Sequence, residues 1–200
     1  MRNSSAITIL LASIFTLGSM PLSSAVAEAA ARSDFPGEIV VAGMPMRLEG
    51  TGVKSVAFIK AFEAAFYREE GAELVSGGKK LTVNYFVKIS AEKLTRFTLN
   101  TMRKNITPEA MSAMSAELDR MRDLFVDLEP GDNFALVYVP GQGTQFIHNG
   151  RLRGVVAGED FARALYAVWI GPKPFDEQLK RAILGLDKDR RALPNIAQSL

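Results

Sequence analysis

Residues 161–185, FARALYAVWIGPKPFDEQLKRAILG, have the pattern of two short amphipathic helices separated by a Gly-Pro-Lys-Pro break. In the first half, apolar residues recur at helical spacing, and Gly171 followed by Pro172 supplies the stop. The second half carries one apolar stripe, with Asp176 and Glu177 early and basic residues late, an order that suits a helix dipole. The pattern predicts two helices that pack on a core, and nothing in it indicates catalysis.

The composition predicts one domain with its own core. The chain has 200 residues, of which 48% are hydrophobic, and it contains no cysteine. Disulfide bonds and a lipid-modified cysteine are therefore excluded, and the fold must depend on its core. Without Arg2, which falls in the predicted leader, 23 basic residues face 22 acidic ones, a net charge of +1. This balance argues against a nucleic-acid partner.

The first 27 residues are typical of a cleavable secretory signal peptide. They carry a single charge, Arg2, then an apolar run over residues 6–17 and a small-residue end at Ala25-Val26-Ala27. The alternatives are an N-terminal anchor or a buried helix, but the run is shorter than the ~20 residues that span a bilayer. We predict cleavage after Ala27, a periplasmic or secreted protein, and no stable membrane span after cleavage. The remaining chain divides into a flexible lead-in (28–37), a domain (38–186) and a tail (187–200).

The first half of the domain has the pattern of strands. Residues 38–42 and 46–49 predict short strands around a turn at residues 43–45. Residues 54–69 are apolar on both faces and predict one long central strand, although frequent alanines leave a helix as the competing interpretation. On such a strand Lys60 and Glu63 would point to opposite faces. Residues 81–89 alternate and predict a half-buried strand.

Helices and a three-stranded meander follow. Ser90 is a good N-cap for a helix over residues 91–104, and Thr107-Pro108 opens a second helix with an apolar stripe from Met111 to Leu128. Residues 134–139, 144–148 and 151–157 predict three antiparallel strands, the last two joined by an Asn149-Gly150 hairpin turn.

Together these segments resemble the bacterial form of the chalcone isomerase-like family. That family has a glycine turn written G-x-G-x-R, a long strand written F-x-K-V-Y-x-x-x-L-Y, and a helix ending in Trp-Leu/Ile-Gly-Pro-x-Pro before a last helix. The similar segments here are residues 50–54, 58–67 and 161–185, so the resemblance covers about residues 38–185. It implies an α+β fold in which helices pack on one face of a large antiparallel sheet, as an open-faced sandwich.

The resemblance also implies which side chains line a ligand cleft. Catalytic members use an arginine in the glycine turn, threonines on the long strand and the late helix, and a tyrosine and an asparagine near the intervening helix. The arginine and threonine positions correspond here to Lys54, Phe62 and Val168, and Asn100 and Asn105 are candidates for the asparagine. Two hydroxyl groups that would stabilise an oxyanion are thus missing. We therefore predict no catalytic residue.

Fatty-acid-binding relatives hold a carboxylate with the same arginine and a strand tyrosine, which correspond here to Lys54 and Phe62. Lysine keeps the charge but loses the planar two-point contact, and phenylalanine cannot donate a hydrogen bond. The predicted ligand-binding residues are Lys54, Phe58, Phe62, Val168 and Trp169, with Met111 and Met114 as further walls.

The leading hypothesis is an exported, non-catalytic domain that binds a fatty acid or another apolar or amphipathic small molecule. The alternatives are an isomerase (an intramolecular lyase of chalcone isomerase type) with an altered site, and a structural or partner-binding envelope protein. No metal site or cofactor is predicted, because the chain has one histidine and no cysteine. The sequence carries no signal for an oligomeric state.

Overall fold

In a computed structural model, residues 35–187 form seven strands and five helices. The strands are β1 (Glu38–Val41), β2 (Met44–Val56), β3 (Ile59–Glu69), β4 (Lys79–Tyr85), β5 (Asn133–Val139), β6 (Gly143–His148) and β7 (Arg151–Val156). The helices are α1 (Ala91–Asn105), α2 (Pro108–Ala113), α3 (Ser115–Leu124), α4 (Glu159–Ile170) and α5 (Glu177–Ile183). The structure describes residues 35–187, so the predicted signal peptide, most of the lead-in and residues 188–200 lie outside the described residues.

One antiparallel sheet contains all seven strands in chain order, from β1 to β7. The predicted α+β class, with a large antiparallel sheet and packed helices, is confirmed. The main core lies between the sheet and the helices, where Phe66, Leu81 and Phe146 of the strands meet Met121 and Leu165 of the helices. A smaller buried cluster on β2 and β3, containing Met46, Ala65 and Tyr67, is covered by residues of β1 and by Phe35.

Several local predictions are confirmed. The Ser90 hydroxyl accepts a hydrogen bond from the Lys93 N–H and caps α1. The β6–β7 hairpin turns at Asn149 and Gly150, whose φ angles of 48° and 74° are those of the turn that this dipeptide favours. The two late helices lie on either side of the predicted break, since α4 ends at Ile170, before Gly171, and α5 begins after its N-cap Asp176.

The single strand predicted over residues 54–69 is wrong. The chain reverses at Ala57 and Phe58, and β2 pairs with β3 as a hairpin in which Val56 faces Ile59. Both turn residues have left-handed φ angles, 47° and 70°, which glycine, asparagine and aspartate favour. The Ala57-Phe58 dipeptide therefore gives no turn signal in the sequence. The apolar residues on either side of it consequently have the pattern of one continuous strand.

The glycine turn that the resemblance implied for residues 50–54 is also wrong, because Gly50 and Gly52 lie within β2. A Cβ atom built on Gly50 would lie 2.2 Å from the carbonyl oxygen of Ala182, and one on Gly52 would lie 2.6 Å from Cδ1 of Leu179. Helix α5 thus lies directly on the backbone of β2. The two glycines are required by this close approach and not by a turn.

Lys60 and Glu63 share an ion pair with an N–O distance of 2.7 Å, contrary to the prediction that they point to opposite faces. The register steps from Lys54–Phe62 to Ser55–Lys60, so Ala61 is an extra residue in β3 and forms a β-bulge. A bulge interrupts the two-residue alternation on which the prediction rested.

Two element boundaries differ from the prediction. The helix opened by Thr107 breaks at Met114, whose φ and ψ of −106° and 27° are not helical, so α2 and α3 are separate. The strand predicted over residues 81–89 ends at Tyr85, and beyond it Ile89 forms only an isolated bridge with Leu128.

Candidate ligand site between the sheet and the late helices

Five aromatic side chains meet where the sheet faces α1, α4 and the connection before α5. We call them the aromatic cluster: Phe62, Tyr85, Phe97, Trp169 and Phe175. The Phe62 ring centroid lies 5.9 Å from those of Tyr85 and Trp169, and Phe175 lies 5.0 Å from Trp169 in an edge-to-face arrangement. Phe62 and Phe175 are half-buried and Phe97 is exposed, so the cluster extends from the core to the surface. The sequence places these rings on separate segments, and only the tertiary fold brings them together.

Lys54 lies at the outer side of this cluster. It pairs directly with Phe62 across β2 and β3, which places their Cβ atoms about 5 Å apart on one face. Its ammonium group donates a hydrogen bond to Oδ2 of Asp176, while Oδ1 of the same carboxylate accepts the Leu179 N–H at 2.9 Å and caps α5. Partial burial alone would raise the pKa of Asp176, but the Lys54 ammonium and the Leu179 N–H hold it below its usual value. The candidate anion contact therefore already has an internal partner.

A small cavity lies at the inner side of the cluster. It has a volume of about 20 Å³, enough for roughly one water molecule, and Tyr85 and Trp169 are shared between its lining and the cluster. The rest of the lining is apolar except for Thr98, and comes mainly from β4, β5, α1 and α4. Burial raises the pKa of Tyr85, so its phenol stays protonated and can donate a hydrogen bond.

The sequence matches the chalcone isomerase-like family over residues 27–185. The chain belongs to the chalcone isomerase-like family. A solved structure with the same fold is that of a fatty-acid binding protein of Arabidopsis thaliana, with 15% sequence identity and a TM-score of 0.54, covering 74% of this chain and 96% of that one. No curated protein sequence matches significantly.

In this chalcone isomerase-like domain, four of the five predicted ligand-binding residues lie close together. Phe62 and Trp169 are in ring contact, Lys54 is the cross-strand neighbour of Phe62, and the carbonyl oxygen of Val168 accepts the Phe175 N–H at 3.0 Å. Phe58 does not join them, because it occupies the exposed β2–β3 turn.

The other candidates lie away from the aromatic cluster. Met114 lines a separate groove, of about 770 Å³, between α2 and α4. The Asn105 amide bonds to the backbone of Lys173, on the connection between α4 and α5, and Asn100 is exposed beside Arg103.

The sequence reasoning missed Tyr85, Phe97, Phe175 and Asp176. Asp176 stands at the start of a predicted helix and Tyr85 on the inward face of a predicted strand, so each had a local role that concealed its place in the site. The sequence signal that could have indicated the aromatic cluster is the closeness of two aromatic residues, Trp169 and Phe175, within residues 161–185.

Within residues 35–187, no group of three or more His, Asp or Glu side chains is placed so that it could hold a metal ion. His148 lies 3.1 Å from Asp132 and against the ring of Phe134, so its side chain is half-buried. In the same range, no helix has the length and hydropathy needed to cross a bilayer.

Proposed function

We propose that this protein binds a fatty acid or a similar amphipathic small molecule between the sheet and the late helices, and that it does so without catalysis. The observation that carries the proposal is that three features follow one another as neighbours in space. A cation, Lys54, lies at the surface, the aromatic cluster lies next to it, and an apolar cavity lies behind the cluster. A charged head group and an apolar chain require this order of surroundings.

The cavity must enlarge before an acyl chain can enter. Its volume of about 20 Å³ is far below the roughly 300–1,000 Å³ of ligand pockets. Phe62 and Phe175 are only partly buried, so their side chains can rotate towards solvent, and the ligand must then cover the apolar surface that this rotation exposes. Each of the two rings contacts three others, and each such pair contributes about 0.5–1.5 kcal/mol beyond the area that it buries, so packing of the rings against the acyl chain must offset several such contacts. The aromatic cluster therefore acts as a set of movable rings that fill the site when it is empty.

The chain offers a direct test, because Trp169 is its only tryptophan and belongs to the aromatic cluster. We expect titration of lipid-free protein with palmitate or oleate to change the Trp169 emission saturably, with a matching heat in calorimetry. An acyl chain beside the indole alters both its packing and its access to water. Absence of both signals with saturated and unsaturated fatty acids would overturn the proposed function.

A cavity-filling variant locates the binding site. Leu94 lines the cavity, and Leu94→Phe would occupy the space that the acyl chain needs, so we expect binding to weaken about tenfold. The control is Val75→Phe, which also adds an aromatic ring but does so on an exposed loop. Equal binding by the two variants would place the ligand elsewhere.

The non-catalytic part of the proposal rests on Phe62 and Val168. Neither side chain can donate a hydrogen bond, and Val168 is fully buried in α4. A developing oxyanion at these positions would lack the donors that lower its energy. We expect chalcones incubated with a large excess of protein to cyclise at the rate of the buffer alone. Flavanone formation above that background, measured by chiral chromatography, would favour the isomerase alternative.

A further inference from the structure

The tip of the β2–β3 hairpin is an exposed apolar surface that the proposed site does not use. We call Val56, Ala57, Phe58 and Ile59 the apolar tip. The exposed fraction of the residue surface is 105% for Phe58, 61% for Val56 and 63% for Ile59. Any contact that removes exposed apolar groups from water lowers the free energy. The tip is therefore available to a binding partner.

The backbone of this turn is conformationally unfavourable for its residues. The φ angles at Ala57 and Phe58 are 47° and 70°, nearly the same as the 48° and 74° at Asn149 and Gly150 of the β6–β7 turn. The described chain thus builds one kind of two-residue turn three times: with Ala42-Gly43 between β1 and β2, where the φ angles are 51° and 81°, with the favoured Asn-Gly, and at the tip with Ala-Phe. Side chains with a Cβ atom are disfavoured at left-handed φ, so the tip retains its apolar side chains at a cost in stability.

From this geometry we infer that the apolar tip inserts into the surface of a phospholipid bilayer. A hairpin end with three large exposed side chains offers much less than the roughly 800 Å² that each partner buries in a stable protein complex. Insertion into lipid needs only a few apolar side chains that reach below the head groups. A bilayer therefore fits the size and shape of the tip better than a protein partner does.

The charges at the base of the tip indicate which lipids it would enter. Lys54 is paired with Asp176, and Lys60 is paired with Glu63 while its ammonium lies 4.1 Å from the centroid of the Phe86 ring. Long lysine side chains at such a boundary can keep their charges in the head-group layer. Because both cations are internally neutralised, insertion should not depend on anionic lipid and should resist salt.

The position of the apolar tip connects it with the proposed ligand site, so this inference rests on the proposed function. Phe58 precedes Phe62 by four residues and β3 begins directly after it, so their Cα atoms are at most roughly 14 Å apart. The exposed ring of Phe86 lies beside Lys60 on the same part of the sheet. A protein that takes an acyl chain from a membrane would bring the aromatic cluster close to the lipid surface by inserting this tip.

The test uses the full chain with single labelled cysteines, since the protein has none of its own. An environment-sensitive fluorophore is attached at Phe58→Cys and, as the control, at Leu152→Cys on β7, where the native side chain is 59% exposed. With phosphatidylcholine vesicles we expect a blue-shifted emission and quenching by brominated acyl chains at position 58 only. These local signals do not depend on any other segment that binds lipid.

A double variant separates insertion from folding. Ala57→Asn with Phe58→Gly copies the β6–β7 turn into the tip, so the variant should be at least as stable as the parent protein. Losing the phenylalanine should still weaken vesicle association at least tenfold. Leu152→Ser, which removes an exposed apolar side chain elsewhere, should leave association unchanged.

Three results would overturn the inference. One is a probe at position 58 that stays in water, or that shifts no more than the probe at position 152. Another is association seen only with anionic vesicles and released by salt. The third is a shift at position 58 that follows protein concentration without vesicles, which would assign the tip to a second copy of the chain. Fatty-acid binding by the double variant is measured in a separate titration without vesicles. The inference and the proposed function can therefore fail independently.

Discussion

Gly50→Ala is expected to lower the free energy of unfolding by about 3 kcal/mol, the upper part of the range for overpacking substitutions. The new methyl carbon would lie 2.2 Å from the Ala182 carbonyl oxygen and 2.8 Å from the Gly185 nitrogen. Both are backbone atoms at the end of α5, so rotation of a side chain cannot relieve the clash. The helix would have to move away from β2, and equilibrium unfolding in urea measures the loss.

Two other glycines supply a graded control. At Gly52 the nearest atom is the end of the Leu179 side chain, at 2.6 Å, which can shift, so Gly52→Ala should cost about 1 kcal/mol. At Gly37 a Cβ atom would meet nothing within 4 Å, and Gly37→Ala should be nearly neutral. Equal effects at positions 37 and 50 would contradict the close approach of α5 to β2.

Asp176→Asn is expected to tighten fatty-acid binding about tenfold. Asparagine caps helices as well as aspartate does, so α5 should keep its start. The substitution removes the negative charge that now pairs with Lys54, and leaves the ammonium free for the ligand carboxylate. A charge-assisted hydrogen bond in a partly buried site accounts for a gain of this size. Calorimetric titration with palmitate measures it.

The control ligand is a fatty alcohol of the same chain length, whose affinity should not change because it carries no charge. The control protein is the double variant Lys54→Met with Asp176→Asn, which should lose the gain. If the alcohol gains as much as the acid, the substitution acts by loosening α5. If neither gains, the carboxylate does not lie at Lys54.

Patterns within one segment predicted much of the fold. The Asn149-Gly150 turn, the Ser90 cap and the helix-break-helix of residues 161–185 each depend on contacts between near neighbours in the chain. The order of these segments was enough to indicate the family. Predictions failed where a distant segment determined the local structure, as at Gly50 and Gly52, which accommodate α5.

The site was only partly predictable for the same reason. Lys54, Phe62 and Trp169 were named through the resemblance, and the structure brings them together. The pairing of Lys54 with Asp176 depends on the position of the α4–α5 connection over β2. No pattern within a single segment predicts that position. Phe58 was assigned to a wall because the chain reversal at Ala57 lacked any turn signal.

The strand order has a consequence for how the protein folds. Every ladder joins strands that follow one another in the chain, and five of the six are closed by short connections. Only the β4–β5 ladder must close across residues 86–132, which contain α1, α2 and α3. Closure entropy grows slowly with length, but contacts of high sequence separation slow folding. Two arrays of hairpins, β1–β4 and β5–β7, can therefore form early, and their joining at this ladder sets the pace of assembly.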